Sequence, residues 1–218
     1  MTTVAVRGEA VREVDPELAE FTVVVSARDK DRDTTLGRLR ERAEALRQLL
    51  EGFGEAVEKR ETGMLHVYPE SSGKRGERIT GYHGSVSTTV TVTDFTALGE
   101  LMLTVAGQDQ AQTHGPSWSL RPGSPVHAEL RREAVAAAIA RAREYADALG
   151  AEVVELVELA DPGLGRSEGM QSHAVGYGGG MLRGKSSGGG YAELQLDPQR
   201  QRVEATVEAR FTITAPVL

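Results

Sequence analysis

The chain reads as an α+β protein: an antiparallel β-sheet with two long amphipathic helices and one shorter helix packed on it. Three observations predict this. Val203, Ala205, Val207, Ala209, Phe211 and Ile213 alternate with Arg202, Glu204, Thr206, Glu208, Arg210 and Thr212, the period-two pattern of a half-buried strand. Residues 124–160 run a long helical pattern straight into a short apolar stretch, so that helix must pack on the sheet its successor joins. Leu36, Leu39, Ala43, Leu46 and Leu50 recur at steps of three and four and predict a second long helix.

Taken in order, Val4 to Gly8 is a first short strand, Asp15 and Pro16 a turn, and Leu18 to Ala27 a strand with Phe21, Val23, Val25 and Ala27 on one face. The mixed charges of RDKDRD read as a solvated turn, with Asp33 capping the helix that ends near Gly52 to Gly54. Thr62 to Tyr68 and Ile79 to Thr93 predict a hairpin joined by the polar segment PESSGKRGE. In its second strand Ser85, Ser87, Thr89, Thr91 and Thr93 form a wet face, while Val86, Thr88, Val90 and Val92 form a buried one. Asp94 caps a shorter helix carrying Phe95, Leu98, Leu101, Met102 and Val105, which Gly107 stops, and Pro116 to Leu120 predicts another strand before the turn RPGSP.

The next helix is bounded by Ser124 and Pro125 at its start and by Gly150 at its end. Val135, Ile139, Ala142, Ala146 and Leu149 are its expected sheet-facing stripe. Its alanines, Ala134, Ala136, Ala137, Ala138 and Ala140, would let another backbone approach closely, a partner helix being one candidate. Val153 to Leu159 then reads as a strand with acidic relief from Glu152, Glu155 and Glu158. From Asp161 to Gly190 there are 11 of the chain's 25 glycines and no periodicity, which predicts a flexible glycine-rich loop. The whole, 1–218, is expected to be a single domain carrying that loop.

Composition excludes several roles. A net charge of -7 and a pI near 5.4 oppose a nucleic-acid surface, and 5% aromatics leaves little for base stacking. With no cysteine there is no disulfide, thiolate chemistry or cysteine-based metal site. The opening MTTVAVRGEAVREVDPELAEF lacks a basic-then-apolar leader pattern, and no run approaches the roughly 20 apolar residues of a membrane span. As written, the chain is expected in the cytoplasm, and in the periplasm only if a leader preceded it.

Four segments together, VAVRGEAVREVDPELAEFTVVVSARDKD, ITGYHGSVSTTVTVTDFTALGELM, AELRREAVAAAIARAREYADALGAEVVELVEL and VEATVEARFTIT, resemble the SIMPL-domain family in composition and order. The more specific parts are the Gly-Tyr strand followed by D-F-x-x-L-G and the helix A-x-A-R-x-x-A-x-x-L-G. That family includes bacterial periplasmic and outer-membrane-associated immunogenic proteins and an animal protein linked to kinase signalling. The resemblance implies antiparallel strands under long helices and, in some bacterial members, a ring-like or channel-like oligomer; it brings no catalytic residues. The chain is expected to depart from the family in its start, where residues 1–21 show no leader pattern, and in its long glycine-rich stretch.

Candidate chemistry is thin. Gly179 to Ser186 (GMLRGKS after Gly179) matches the G-x-x-x-x-G-K-S spacing of a phosphate loop, but GYGGG before it and SGGG after it supply neither the buried strand nor the helix N-terminus such a loop needs. His66 and His83 lie on predicted paired strands and could converge with Glu70 or Glu77 on a metal, although half-exposed strand positions explain them as well. His114, His127 and His173 show no ligand spacing, and Trp118 suits core or subunit packing. No catalytic, cofactor or metal residue is assigned. The expected function is that of a non-enzymatic, self-associating structural protein, with a possible tie to stress, and no nucleic-acid partner. The alternative is a small-ligand or protein-partner binding module whose glycine-rich loop orders on binding.

Overall fold

The structure, a computed structural model, describes residues 2–72, 78–165 and 196–217. In chain order its elements are β1 (Thr2–Val14), β2 (Leu18–Asp29), α1 (Arg32–Gly52), a 3-10 turn (Gly54–Ala56), β3 (Val57–Ser72), β4 (Arg78–Val92), α2 (Phe95–Ala106), β5 (Ala111–Ser119), α3 (Pro125–Ala148), β6 (Val153–Ala160) and β7 (Gln201–Ile213). The α+β expectation holds, with the strands divided between two sheets in two compact units. One unit holds residues 2–14, 122–165 and 202–217, and the other 15–72, 78–121 and 196–201. Strand periodicity reveals that a strand exists and which side it buries, but not its neighbour. Of the glycine-rich stretch, residues 161–165 are described, as a turn; its remainder, with His173 and the 179–186 motif, lies outside the described residues.

The larger unit carries a four-stranded sheet in the order β3-β4-β2-β5, with β2 antiparallel to both β4 and β5 and β3 antiparallel to β4. Alternation decides its layers. Ala19, Phe21, Val23, Val25 and Ala27 on β2 and Val86, Val90 and Val92 on β4 are buried together with Leu39, Leu46 and Leu50 of α1 and Leu98, Leu101 and Val105 of α2. The opposite row, along β4 and on to Thr93, is only partly buried at Ser85, Ser87, Thr89 and Thr93, as the serine and threonine alternation predicts, but Thr91 of the same row is buried. Asp31, not Asp33, caps α1, accepting from the Thr34 N–H at 2.8 Å. A capping side chain reaches N–H groups two or three residues ahead, so a helix starting at Arg32 takes its cap from Asp31. Asp94 caps α2 as expected, through the Thr96 N–H at 2.9 Å.

In the smaller unit the sheet order is β1-β7-β6, and α3 packs on it. Here the expected helix face holds at Ala142 and Ala146 and is shifted at Val135, Ile139 and Leu149. The fully buried positions are Leu130, Ala134, Ala138, Ala142 and Ala146; Val135 and Ile139 flank this stripe half-buried, and Leu149 is exposed. Of the alanines expected to admit a close approach, Ala134 and Ala138 meet a strand, while Ala136 and Ala140 are exposed. A Cβ on Gly8 of β1 would stand 2.0 Å from the Ala134 carbonyl oxygen and 2.6 Å from the Ala138 nitrogen, so glycine against alanine lets helix and strand backbones nearly touch. Ser124 stands at the N-cap with Pro125 after it, though its side chain makes no capping bond, and Gly150 takes the expected left-handed conformation at φ 63°.

Candidate functional site

The strand β6 has the sequence V-V-E-L-V-E-L-A, whose apolar period of three does not suit a flat strand. Two bulges resolve this. Val153 pairs with Ile213, Glu155 with Thr212, Leu156 with Phe211, Glu158 with Arg210 and Leu159 with Ala209, leaving Val154 and Val157 as the extra residues. Val153, Leu156 and Leu159 therefore join the row of Ile213, Phe211 and Ala209 on the α3 side, while Glu155 and Glu158 join Thr212 and Arg210 on the other. Yet α3 lies over β1 and meets β6 only at its first residue, Val153, which packs with Ala146, Ala151 and Ile213. Leu156 stays 49% exposed, Leu159 48%, Val154 64% and Val157 53%. An edge strand with one hydrogen-bonded neighbour thus borders an open apolar ledge, which soluble proteins ordinarily suppress.

A second apolar exposure lies on β3, an edge of the four-stranded sheet, where Met64, Leu65 and Tyr68, with Ile79 of β4, are exposed. Beside it α1 and the β3–β4 pair enclose a cleft of about 490 Å³ with Leu46, Leu50 and Val86 at its base and Arg40, Arg47 and Arg60 at its rim. The rim is an ion-pair network. Arg47 donates to Glu44 at 2.6 Å and also engages Glu51, and Arg60 approaches Glu51 at 3.5 Å. Hydrogen bonds from Arg47 hold the Glu44 carboxyl at about 2, far below its ordinary 4.5, and Arg47 is raised in turn.

The histidines considered for a metal sit on neighbouring cross-strand pairs. His66 opposes Ser85, and His83 opposes Tyr68, the Tyr68 and His83 rings stacking at 5.1 Å. Glu70 is taken by Arg28 at 2.5 Å, Glu77 lies outside the described residues, and His83 Nδ1 is buried without a hydrogen-bond partner. No group of three or more histidine, aspartate or glutamate side chains among the described residues is placed to hold an ion. His114 opposes Thr22 on β5, and His127 begins α3. Trp118 opposes Ala19 and meets Phe95 edge-to-face at 4.9 Å, against the main core. RDKDRD is more than a solvated turn: Arg28 holds Glu70, Asp29 holds Arg38 at 2.9 Å and Asp31 caps α1. The two apolar edges were missed in the sequence, since an apolar residue on a strand reads as core. The one available signal was the period of three in β6.

The model of the SIMPL family, described as protein of unknown function (DUF541), matches residues 4–211. The chain belongs to the SIMPL family. Two curated relatives, each named 26 kDa periplasmic immunogenic protein, come from Brucella melitensis biotype 1 and Brucella abortus strain S19. Each is 32% identical to this SIMPL chain over 177 residues, covering 73% of it and 67% of the relative. A solved structure from Burkholderia cenocepacia, whose name gives a provisional amidohydrolase/peptidase assignment, is 18% identical with a TM-score of 0.26. It covers 61% of the SIMPL chain, which spans 33% of that protein, and so weak a likeness bears on neither fold nor activity. The family match runs from β1 into β7 and so includes both units. No helix among the described residues is long and apolar enough to cross a membrane.

Proposed function

We propose that this SIMPL-family chain is a self-associating structural protein that acts without catalysis. The observation that carries it is the run of large apolar side chains left half exposed along edge strands, Val154, Leu156, Val157 and Leu159 on β6 above all. At about 25 cal/mol per Å² of apolar surface removed from water, covering such a strip contributes several kcal/mol toward association. Its charged side chains serve local architecture: the shifted carboxylates Asp31, Asp94, Glu44 and Glu58 are held by helix caps or surface arginines. Light scattering on purified protein tests the reading. Particles larger than one chain at micromolar concentration are expected, and a strictly monomeric protein overturns it.

The cleft between α1 and β3 favours a second reading, a small-ligand module, because about 490 Å³ falls within the range of small-molecule sites and its floor is apolar under an arginine rim. Saturable binding of a small carboxylate-bearing amphiphile that is lost in Arg40→Ala would support it. For location, the relatives' name favours the periplasm over the cytoplasm expected from residues 1–21. Cell fractionation decides between the two.

A further inference from the structure

We infer that the cleft between α1 and the β3–β4 pair holds an unbranched aliphatic monocarboxylate, its head on Arg40, Thr62 and Thr88 and its tail on the apolar floor. This rests on the small-ligand reading and names the ligand class. The cleft exists because α1 packs over β2 and β4 and leaves the edge strand β3 uncovered. Arg60, Thr62, Leu65 and Val67 of β3 stand opposite Val90, Thr88, Val86 and Gly84 in turn, which puts them on the α1 side of the sheet, and each is exposed or half-buried. Both ends of this trough are shut. At one, Arg60 donates across the gap to the Arg47 main-chain carbonyl at 3.2 Å and approaches Glu51 at 3.5 Å. At the other, a Cβ on Gly84 would stand 3.2 Å from Leu39 and 3.7 Å from Val67, so helix and strand converge there. From Gly84 to Val90, at about 3.3 Å per residue, the trough is about 20 Å long.

Most of the charge around it is already paired. Arg47 is held by Glu44 and Glu51, and Arg60 by Glu51. Arg40, alone of the three rim arginines, has no ion pair or hydrogen bond among the described residues. Thr88 is the polar member of the core-facing row Val86, Thr88, Val90 and Val92, and Thr62 opposes it; among the described residues neither hydroxyl has a hydrogen-bond partner. Ala43, three residues after Arg40 and four before Arg47, shares their side of α1 and keeps the cleft open with its small side chain. One cation and two hydroxyl donors suit a single carboxylate, whose oxygens only accept and carry one charge between them. A phosphate would bring a second charge and find no second free cation among the described cleft residues, and a cationic head would meet Arg40. Leu46, Leu50 and Val86 beneath favour an alkyl body over a polar one, and the closed ends hold the tail to medium length.

Calorimetric titration of the full chain with submillimolar decanoate tests this. One site per chain is expected, with about tenfold higher affinity than for octanoate, because two more methylenes leave water. Decanol and decyltrimethylammonium keep the tail and change the head, and each should bind about tenfold more weakly than decanoate. Arg40→Ala, which removes no described contact, should weaken decanoate about tenfold and leave decanol unchanged. Ala43→Leu, which fills the cleft, should abolish binding of decanoate and decanol alike, with circular dichroism to verify folding. Should that variant not fold, Thr62→Val keeps the shape of an exposed side chain and is expected to weaken decanoate about fivefold; unchanged binding would count against the inference. Equal affinity for the three heads, or decanoate binding unmoved by Arg40→Ala, combined with loss in Ala43→Leu, overturns the carboxylate and leaves a ligand site in the cleft. No saturable binding of any of the three, or binding that survives in folded Ala43→Leu, overturns both.

Discussion

The two units solve the same problem, a helical layer on a sheet, by opposite means. In the four-stranded unit α1 and α2 bring Leu39, Leu46, Leu50, Leu98 and Leu101 onto Phe21, Val23 and Val90, and large side chains fill the gap between layers. In the three-stranded unit Ala134, Ala138 and Ala142 meet Gly8 and Val6, and the gap itself is nearly removed. The first arrangement covers the strands in the middle of its sheet, β2 and β4; the second covers the edge strand β1 and, past Val153, leaves the apolar side chains of β6 about half exposed. Close backbone packing concentrates contact in one place, so a single narrow helix shields less of the sheet. The first interface should therefore fail when volume is removed, and the second when volume is added.

The largest effect follows from adding volume. Gly8→Val places a Cβ against the main chain of Ala134 and Ala138, where neither neighbour is a flexible side-chain end. The cost is expected to be on the order of 5 kcal/mol or more, the scale of a domain's whole stability. Hydrogen exchange should show protection lost in β1, α3 and β7. Near-native protection in those segments would mean that α3 shifts freely on the sheet.

Next comes removing volume. Phe21→Ala deletes a ring that is 1% exposed at the centre of the larger core. About 3–5 kcal/mol should be lost in a denaturant titration followed by the fluorescence of Trp118, the chain's one tryptophan, which packs on that core. A loss below about 1 kcal/mol would show that this interface collapses onto the cavity, as a close-packed alanine interface would not.

The same contrast explains what was legible in the sequence. Leucine and valine periodicity located α1, α2, β2 and β4 with their buried faces because large side chains announce their side. On α3 the stripe was right at Ala142 and Ala146 but one residue off in the preceding turns: Val135 and Ile139 drew the assignment there, whereas geometry at Gly8 admits only alanine, a residue equally at home on a surface. Boundaries of β1 and β3 were underestimated because their charged ends, such as Glu9 to Val14 and Glu58 to Glu61, look like loop. The division into two sheets was not legible, since β7 joins β1 across almost the full chain length. Nor were the bulges of β6, which only pairing with β7 defines.

The smallest effect distinguishes the units by acid. The carboxylates held below their ordinary range, Asp31, Glu44, Glu58 and Asp94, all belong to the four-stranded unit. Bonds from Thr34 and Thr96 hold the two caps, and arginine holds the other two, Arg47 on Glu44 and Arg121 on Glu58. A carboxylate whose folded pKa is depressed binds fewer protons folded than unfolded. Its contribution is complete above the unfolded pKa and disappears as pH falls through the folded one; for Glu44 that window runs from 4.5 down to about 2. All four side chains are exposed, so solvent and salt screen each contribution to a small one. Denaturant midpoints read from Trp118 should therefore decline gently across that window, less steeply in high salt. Glu44→Gln should flatten the decline, having already lost the charge that Arg47 and Gln48 hold. A midpoint that stays level from pH 5 to pH 2 would assign these ion pairs no part in holding α1, leaving the leucine interface alone to do so.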